Sequence, residues 1–278
     1  MSSASAPSRE DPHRALVEAA LEGDRTALDD LCRGLAGPVY RLALRMLGHP
    51  EDAEDAAQEI LVKVATHLSS FRGESRVLTW VYTIATRHLL RRQKGRREES
   101  LRAAEIAQLI DAGLAITTTT SAPEGDARVL SREVRLACTQ SMLFVLSRDE
   151  RVALILVEVL GASHAVGSEI CEVTPETFRQ RLSRARGKLR PILEERCGLA
   201  GSDTSCRCPR QAAAKQLVGR GASRRWTTLP VVASEEVALA QEQLREAHRA
   251  GPVFAWDPPI APPKSLWQAL SVRLQAVL

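Results

Sequence analysis

The sequence predicts an all-α protein: two small helical domains joined by a flexible linker, with a partly helical C-terminal extension. Of its 278 residues, 44% are hydrophobic but only 4% are aromatic. The cores must therefore consist mainly of Leu, Val and Ala, which suits packed helices better than a β-sandwich. Apolar residues also recur at steps of three and four along much of the chain, and helix start and stop signals frame these stretches.

Composition narrows the function classes. The formal net charge of +4 favours a nucleic-acid partner only weakly, because the placement of basic residues matters more than their sum. No apolar run reaches the roughly 18–20 residues of a membrane span, and the N-terminus lacks the regions of a signal peptide. Six scattered cysteines do not make a disulfide scaffold. We therefore expect a cytoplasmic protein without membrane insertion.

The first domain is predicted for residues 12–97, after a small and polar N-terminus, residues 1–11, that we expect to be disordered. Apolar spacing at the start of this domain predicts two helices broken near Gly23, and the helical period continues over residues 38–47. Pro50 then opens another helix, because the first helical position needs no N–H.

The helix that begins at Pro50 is predicted to carry an acidic outer face. Its outward polar residues are Asp52, Asp55, Gln58 and Glu59. Such a face suits a basic helical partner, because complementary charge steers the encounter and fixes the register. The alternative is a solvated helix start, since acidic residues also stabilise the N-terminal end of a helix.

A long helix is predicted after Gly73, with an inward apolar stripe from Val77 to Leu89. Along another face follow Trp80, Thr83, Arg87 and Arg91. An aromatic side chain beside a basic line can hold separated DNA strands, by stacking on bases and neutralising phosphates. The alternative for Trp80 is that it simply helps to fill the core.

Residues 98–130 are predicted to form the linker, because residues 117–125 are polar and lack a helical period. A short helix is predicted within it, over residues 101–110. A flexible tether allows the two domains to move relative to one another. A helix resumes at Leu130 and leads into the second domain, residues 131–196.

Residues 147–190 are predicted to form three helices, of which the last two make a helix-turn-helix. The first of them ends at Gly161, a plausible C-terminal stop. Ser163 can cap the second helix, and Thr174 can cap the third with Pro175 at its first helical position.

The third of these helices has one apolar and one basic side. The buried stripe is predicted to contain Phe178, Leu182, Ala185 and Leu189. The other side carries Glu176, Arg179, Gln180, Ser183 and Arg186, flanked by Arg181, Arg184 and Lys188. Such a helix can enter a major groove, reading bases near its N-terminus and binding phosphates further along. The alternative is an ordinary helix whose charged face is merely solvated.

These residues resemble a known family. Residues 146–151 (LSRDER), 159–165 (VLGASHA) and 173–186 (VTPETFRQRLSRAR) resemble, nearly position for position, the promoter-reading domain of bacterial extracytoplasmic-function (ECF) sigma factors. Residues 52–59 (DAEDAAQE) resemble the segment by which sigma factors bind the coiled coil of the largest polymerase subunit. Residues 71–97 resemble the element that melts and reads the upstream −10 part of a promoter.

The resemblance implies a dissociable polymerase subunit without chemistry of its own, with sigma region 2 in the first domain and sigma region 4 in the second. It implies that core RNA polymerase is bound by Asp52, Asp55, Gln58 and Glu59. It implies −10 recognition by Trp80, Thr83, Arg87, Arg91 and Arg92. It implies −35 recognition by Glu176, Thr177, Arg179, Gln180, Arg181, Arg184 and Lys188, of which Arg184 and Lys188 would mainly hold phosphates.

Three positions depart from the family pattern. Gly167 stands where a bulky apolar residue is usual, and Glu172 stands where the turn usually has Gly. Both are expected to loosen the second helix or its turn, since Gly weakens a helix and Glu resists positive φ. Arg87 stands where many members have Asn, so their −10 sequence preference does not transfer.

Residues 197–278 form the C-terminal extension, which resembles that of a sigma-factor subgroup with Cys-Gly-Leu and Cys-Arg-Cys signatures. Helices are predicted over residues 234–250 and from Leu266 to Val277. Their apolar faces must be buried, and we expect them to dock on the helix-turn-helix domain or in the cleft between the domains.

Cys197, Cys206 and Cys208 are weak candidates for metal ligands, because Cys-x8-Cys-x-Cys lacks a C-x-x-C pair and a close fourth ligand. A redox-responsive thiol cluster and ordinary unpaired cysteines are the alternatives. Neighbouring Arg207 and Arg210 are expected to lower the pKa values of these thiols and so to favour reactivity.

Two function classes follow. The first is a sigma factor, whose partners are core RNA polymerase and promoter DNA, with an anti-sigma factor as a further candidate partner. The alternative is a one-component helix-turn-helix regulator with a C-terminal sensor segment, which has no use for the acidic helix or the Trp80 face. The sequence contains no phosphate loop, nucleophile elbow or other catalytic motif. We therefore expect neither an enzyme nor a cofactor.

Overall fold

A computed structural model describes residues 11–92, 103–116, 127–197, 206, 208, 211 and 262–277. The fold in these ranges is all-α, as predicted, and its β-pairing is limited to an isolated bridge between Cys197 and Cys206. The predictions of a disordered N-terminus and of a helix over residues 234–250 concern residues outside the described ranges, apart from Asp11. No helix in those ranges has the length and apolar character needed to span a membrane.

The first domain contains four α-helices and a short 3₁₀ turn. They are α1 (Arg14–Leu21), α2 (Arg25–Leu47), α3 (Pro50–Thr66), the 3₁₀ turn (Leu68–Ser70) and α4 (Val77–Arg91). Asp24 caps α2 by accepting a hydrogen bond from the Thr26 N–H at 2.8 Å. Gly48 ends the same helix in the left-handed conformation, with φ of 72°. Leu, Val and Ala side chains of α2, α3 and α4 fill the core, as the low aromatic content predicts.

The second domain is built on the predicted helix-turn-helix. Its elements are α5 (Ala103–Ile116), α6 (Ala127–Leu143), α7 (Arg148–Leu154), a π-helical turn (Ile155–Val159), α8 (His164–Ile170) and α9 (Pro175–Arg196). Both predicted caps are present, because the Ser163 and Thr174 hydroxyls accept hydrogen bonds from backbone N–H groups of α8 and α9. Ser147 and Glu150 form a capping box at the start of α7.

The predicted linker is partly helical. Helix α5 is longer than the predicted segment of residues 101–110, and α6 begins at Ala127, before the predicted domain boundary. Helix α5 packs against α9, and its residues Ile106 and Ile110 are buried. It therefore extends the core of the second domain.

Buried arginines join the two domains. Arg45 of α2 donates a hydrogen bond to Thr139 Oγ1 at 3.3 Å, and Gln140 returns one to the Arg45 carbonyl at 2.9 Å. Burial lowers the pKa of Arg45 to about 10, so it remains charged at neutral pH. Arg151 of α7 donates to the carbonyl of Met46 at 2.5 Å. Buried arginines that are hydrogen-bonded to neutral groups of the other domain favour one docking arrangement, because loss of these acceptors would leave a buried charge unsatisfied.

The C-terminal helix α10 (Lys264–Val277) packs against α3 of the first domain. The prediction that the tail docks on the helix-turn-helix domain or in the cleft is therefore wrong for this helix. Leu266, Leu270 and Leu274 follow one another at steps of four, and all three are buried. An apolar stripe with this spacing needs a complementary apolar surface, and α3 provides it.

Candidate nucleic-acid interface

Helix α4 lines a groove of about 750 Å³ on the surface of the first domain. The groove contains the whole residue set that the sequence predicted for this face, namely Trp80, Thr83, Arg87, Arg91 and Arg92. These residues share a surface because they recur at helical spacing and because the apolar stripe of α4 faces the opposite way, into the core. The groove combines one aromatic side chain with three arginines, a composition suited to bases and phosphates.

Trp80 serves both the core and the surface. Its ring is half-buried and packs against Phe71, with centroids 5.5 Å apart and planes tilted by 56°. The other part of the side chain lines the groove. Phe71 therefore fixes the orientation of the indole and leaves part of it accessible for stacking.

A cluster of His88, Glu59, Lys63 and Arg92 occupies one side of the groove. The Lys63 ammonium lies 2.7 Å from His88 Nδ1, and His88 Nε2 lies 3.4 Å from a Glu59 carboxylate oxygen. Burial lowers the pKa of His88, and Lys63 and Arg92 lower it further, while Glu59 opposes them. These effects together favour the neutral form of His88. Glu59, predicted for polymerase binding, thus also belongs to the wall of the α4 groove.

Glu172 of the second domain reaches into the same groove. Its carboxylate accepts two hydrogen bonds from the Arg87 guanidinium, one of them from Nε at 3.0 Å. This hydrogen-bonded ion pair raises the pKa of Arg87. Glu172 adopts φ of 54°, the left-handed conformation that the sequence identified as unfavourable for Glu. Sequence reasoning noted the unusual residue but missed its partner, because the two positions lie 85 residues apart.

The acidic face of α3 is narrower than predicted. Asp55 and Glu59 are exposed and Asp52 is half-buried, but Gln58 is only 4% exposed. The prediction that Gln58 points outward is therefore wrong. Gln58 lies on the flank of α3 that continues through Leu61 and Ala65, both buried, so it is covered together with them.

Helix α9 divides its basic residues between two roles. Four of the predicted −35 residues lie on the exposed outer face, namely Glu176, Arg179, Gln180 and Arg184. Two others face α7, where Arg181 pairs with Asp149 at 2.9 Å and Lys188 pairs with Glu150 at 2.7 Å. The remaining one, Thr177, donates its N–H to the Thr174 cap at 3.2 Å. Arg181, Lys188 and Thr177 thus already have partners within the domain.

The partner of Lys188, Glu150, is a largely buried carboxylate whose charged form is stabilised by its hydrogen bonds. Burial by itself raises the pKa of Glu150, but the hydrogen bonds from Lys188 and from Ser147 outweigh it and hold the pKa below its ordinary value. The same carboxylate completes the capping box of α7. One acidic side chain therefore caps α7 and holds α9 against it.

The three tail cysteines lie near a fourth that the sequence did not indicate. Burial raises the pKa of Cys138 to about 12, with further contributions from Cys197, Cys206 and Cys208. Burial also raises the pKa of Cys208, with Arg135 opposing it, so the expected lowering is wrong at this thiol; Arg207 and Arg210 lie outside the described residues. Within the described ranges, no group of three or more His, Cys, Asp or Glu side chains could hold a metal ion.

Comparisons with known proteins agree with this arrangement. The Sigma-70 region 2 family matches residues 31–99, and the Sigma-70 region 4 family matches residues 136–189. The chain is 33% identical to the RNA polymerase sigma-H factor of Pseudomonas aeruginosa, over 65% of this chain and 95% of that protein. It is 30% identical to the ECF RNA polymerase sigma-E factor of Haemophilus influenzae, over 65% of this chain and 96% of that protein.

Among solved structures, CnrH in complex with the cytosolic domain of CnrY is similar at a TM-score of 0.46 and 22% identity, over 65% of this chain and 96% of that one. The two curated relatives named above match along nearly their whole length. A one-component regulator would account for region 4 alone and would leave the region 2 match unexplained. The chain belongs to the extracytoplasmic-function sigma factors, which are transcription initiation factors that bring RNA polymerase to promoters and are not enzymes.

Proposed function

We propose that three helices divide the work of initiation: α3 binds core RNA polymerase, α4 binds the −10 element and α9 binds the −35 element. In this proposal sigma region 2 extends over residues 12–97 and sigma region 4 over residues 131–196. The region 2 match covers residues 31–99 and the region 4 match covers residues 136–189, so the proposed ranges extend beyond the matches mainly at the start of region 2. Helix α1 supports the earlier start, since it packs on α2 and buries Val17.

For polymerase binding, we assign the exposed carboxylates of Asp55 and Glu59 to the centre of the contact and Asp52 to its edge. Two exposed acids one turn apart offer a basic helical partner complementary charge with little rearrangement. Gln58 is buried, so it can join this contact only if the element that lies over it moves away.

For the −10 element, the observation that carries the proposal is the α4 groove. It gathers Trp80 and three arginines around one concave surface. A flipped or unpaired base can stack on the indole while Arg87, Arg91 and Arg92 neutralise the adjacent phosphates. Thr83 adds a hydroxyl for hydrogen bonding along the same face.

For the −35 element, the exposed outer face of α9 supports base reading by Glu176, Arg179 and Gln180 and phosphate binding by Arg184. Long polar side chains at the N-terminal end of a capped helix can reach base edges in the major groove. Arg181 and Lys188, which the resemblance also assigns to DNA, hold α9 against α7 through their acidic partners.

The cellular setting follows from the partners. We propose a cytoplasmic location, because bacterial RNA polymerase and chromosomal DNA are found there. An anti-sigma factor is a further proposed partner, since the α4 groove and the acidic face of α3 are the surfaces that an inhibitor of initiation would need to cover.

The first prediction tests the role of α3. Asp55→Lys should weaken binding to core RNA polymerase about ten-fold or more, because the reversed charge would face a basic partner. The loss should be larger at low salt, where screening is weaker. Fluorescence anisotropy with labelled sigma factor and purified core polymerase at two ionic strengths would measure it.

Asp30→Lys provides the matched control, because Asp30 is an exposed acid on α2 and its reversal changes the net charge equally. This variant should bind core polymerase as the wild type does. Unchanged binding by a double Asp52→Lys, Asp55→Lys variant would remove α3 from the polymerase interface.

A further inference from the structure

Helix α10 is an amphipathic helix that docks on the first domain. Its buried stripe is leucine at Leu266, Leu270 and Leu274, while Val272 on the other side is 67% exposed. Its charged residues are Lys264 and Arg273, and it contains no acidic residue. It lies along α3, whose first residues are strongly acidic. Both basic residues are exposed, so α10 docks through its leucine stripe, as an amphipathic helix does when it occupies an apolar groove.

Contacts with α2 locate α10 on the first domain. The Arg33 guanidinium lies 4.0 Å from the centroid of the Trp267 ring, a cation–π contact. Pro262, just before α10, lies 4.0 Å from the position that a side chain on Gly37 would occupy. Arg33 and Gly37 are one turn apart on α2, so this segment of the tail runs along that face.

The same face of α2 adjoins one flank of α3. Tyr40 continues the face one turn after Gly37, and its pKa rises to about 12 through burial and, secondly, through the Glu54 carboxylate. Glu54 therefore lies close to Tyr40. On α3, Gln58 and Leu61 follow Glu54 at steps of four and three, so all three share one flank.

This flank borders the proposed polymerase contact. Gln58 is 4% exposed and Leu61 is fully buried, whereas their neighbours Asp55 and Glu59 are exposed. Apolar burial accounts for Leu61, but a glutamine beside an acidic outer face is covered only if another element lies over it. Helix α10 packs on α3 and touches the adjoining face of α2, so it is the element in position to cover Gln58.

We propose that α10 and core RNA polymerase compete for α3, so that the C-terminal helix acts as an autoinhibitory element. While α10 is docked, the polymerase reaches Asp55 and Glu59 but not the Gln58 flank. Complete binding then requires α10 to leave. The apparent affinity for polymerase is reduced by the fraction of molecules in which α10 is docked. This inference rests on the proposed role of α3.

The first test releases α10 in the full chain. A Leu266→Asp, Leu270→Asp variant places two charges in the docking interface and should detach the helix. It should bind core polymerase about five-fold more tightly or better than the wild type, as expected if most molecules are docked at rest. Val272→Asp adds a charge to the exposed side of the same helix and should bind as the wild type does.

Circular dichroism would establish that the first domain of the released variant remains folded. Unchanged or weaker binding by this folded variant would overturn the proposal, since α10 would then be neutral or helpful for polymerase binding. Should the double variant fail to fold, the single Leu270→Asp variant would be measured against Val272→Asp under the same criterion.

The second test measures the cover directly. Gln58→Cys should react slowly with a maleimide in the full chain and at least several-fold faster in the released variant. Asp55→Cys, exposed in both states, should react fast in each, and peptide mass mapping would separate these sites from the native thiols. If Gln58→Cys stays protected after release, α2 covers this residue and the competition has no structural basis.

The two proposals fail in distinguishable ways. If Asp55→Lys leaves polymerase binding unchanged in both the wild-type and the released chain, α3 is not the polymerase helix and both proposals fall. If Asp55→Lys weakens binding but release of α10 does not strengthen it, the role of α3 stands and only the competition is refuted.

Discussion

At the scale of single residues, Gly167 shows how a departure from the family pattern is accommodated. A Cβ atom added at Gly167 would lie 2.3 Å from Phe178 Cζ, far inside van der Waals contact. The Phe178 ring, itself fully buried, thus occupies the space that a larger side chain would take at position 167. The glycine is required by packing, although it lowers the intrinsic stability of α8.

We therefore expect Gly167→Ala to lower the free energy of unfolding by about 1–3 kcal/mol, the usual cost of overpacking a dense core. Urea unfolding followed by circular dichroism would measure it. Gly187→Ala is the matched control on α9, because a Cβ there would meet nothing within 4 Å. It should raise stability by about 0.8–1 kcal/mol through helix propensity alone.

A double-mutant cycle with Phe178→Leu would identify the cause. Gly167→Ala should cost less stability in the Phe178→Leu background than in the wild type, because the smaller residue at position 178 makes room for the new methyl group. Equal effects of Gly167→Ala and Gly187→Ala would show that packing against Phe178 is not what requires a glycine.

At the scale of elements, α9 carries both the proposed −35 surface and the contacts that attach it to its own domain. The outer face of α9 is exposed. Its flanks form ion pairs with acidic residues in the first turn of α7 and in the π-helical turn. Arg186 donates to Glu158 at 2.8 Å, in addition to the pairs made by Arg181 and Lys188. The buried apolar stripe sets which residues face outward, and these ion pairs add contacts that hold the flanks of α9 in place.

The structure predicts different consequences for two basic residues of α9. Lys188→Ala should lower the free energy of unfolding, because it leaves the largely buried Glu150 carboxylate without its cation. Arg184→Ala should leave stability unchanged and reduce the salt dependence of DNA binding by about one phosphate contact. Urea unfolding and binding to a −35 duplex over a range of salt would separate the two.

The pH dependence of stability tests whether the effect of Lys188→Ala arises from its pair with Glu150. The pKa of Glu150 lies below its ordinary value in the folded chain, so its pair with Lys188 contributes fully above the unfolded pKa. The contribution disappears as pH falls through the lowered folded pKa. The stability difference between wild type and Lys188→Ala should therefore vanish in acid. A constant difference at all pH values would mean that Glu150 is not the partner that matters.

At the scale of the whole molecule, the second domain contacts the proposed −10 surface of the first domain. Glu172, in the turn just before α9, occupies the α4 groove through its pair with Arg87. On a promoter, the −10 and −35 elements are roughly 25 base pairs apart, about 85 Å at 3.4 Å per base pair. Under the proposed assignment of α4 and α9, the two domains must therefore move apart before both elements can be bound together.

Glu172→Gln should accordingly strengthen binding to a single-stranded −10 oligonucleotide, because it removes the charge that competes with phosphate for Arg87. An exposed ion pair contributes about 1 kcal/mol at most, so the gain should not exceed about five-fold. Gln is preferred to Gly here, since Gly would also relieve the left-handed backbone. Fluorescence anisotropy with a labelled oligonucleotide would measure the gain.

Glu169→Gln removes the same charge from an exposed position on α8 and should leave oligonucleotide binding unchanged. A gain of equal size in both variants would indicate a general effect of net charge. No gain at Glu172→Gln would mean that Arg87 does not bind the nucleic acid, or that the contacts of Arg45 and Arg151 alone keep the second domain against the α4 groove.

Much of the fold follows from the sequence alone, because the relevant signals are local. The predicted caps at Ser163 and Thr174 and the steps of three and four act within a few residues, as do the caps at Asp24 and Ser147 that the structure adds. They define the helices and the apolar stripe of each. The proposed −10 face of α4 and the outer face of α9 also follow from local helical spacing.

Tertiary structure alone decided what covers each face. Periodicity predicts that one side of a helix is polar, but it does not name the neighbour on its flank. The burial of Gln58, the pairing of Lys188 with Glu150, the approach of Cys138 to the tail cysteines and the entry of Glu172 into the α4 groove all depend on partners distant in sequence. Such contacts form only when separate helices dock, so their outcome is set by the packing of the whole chain.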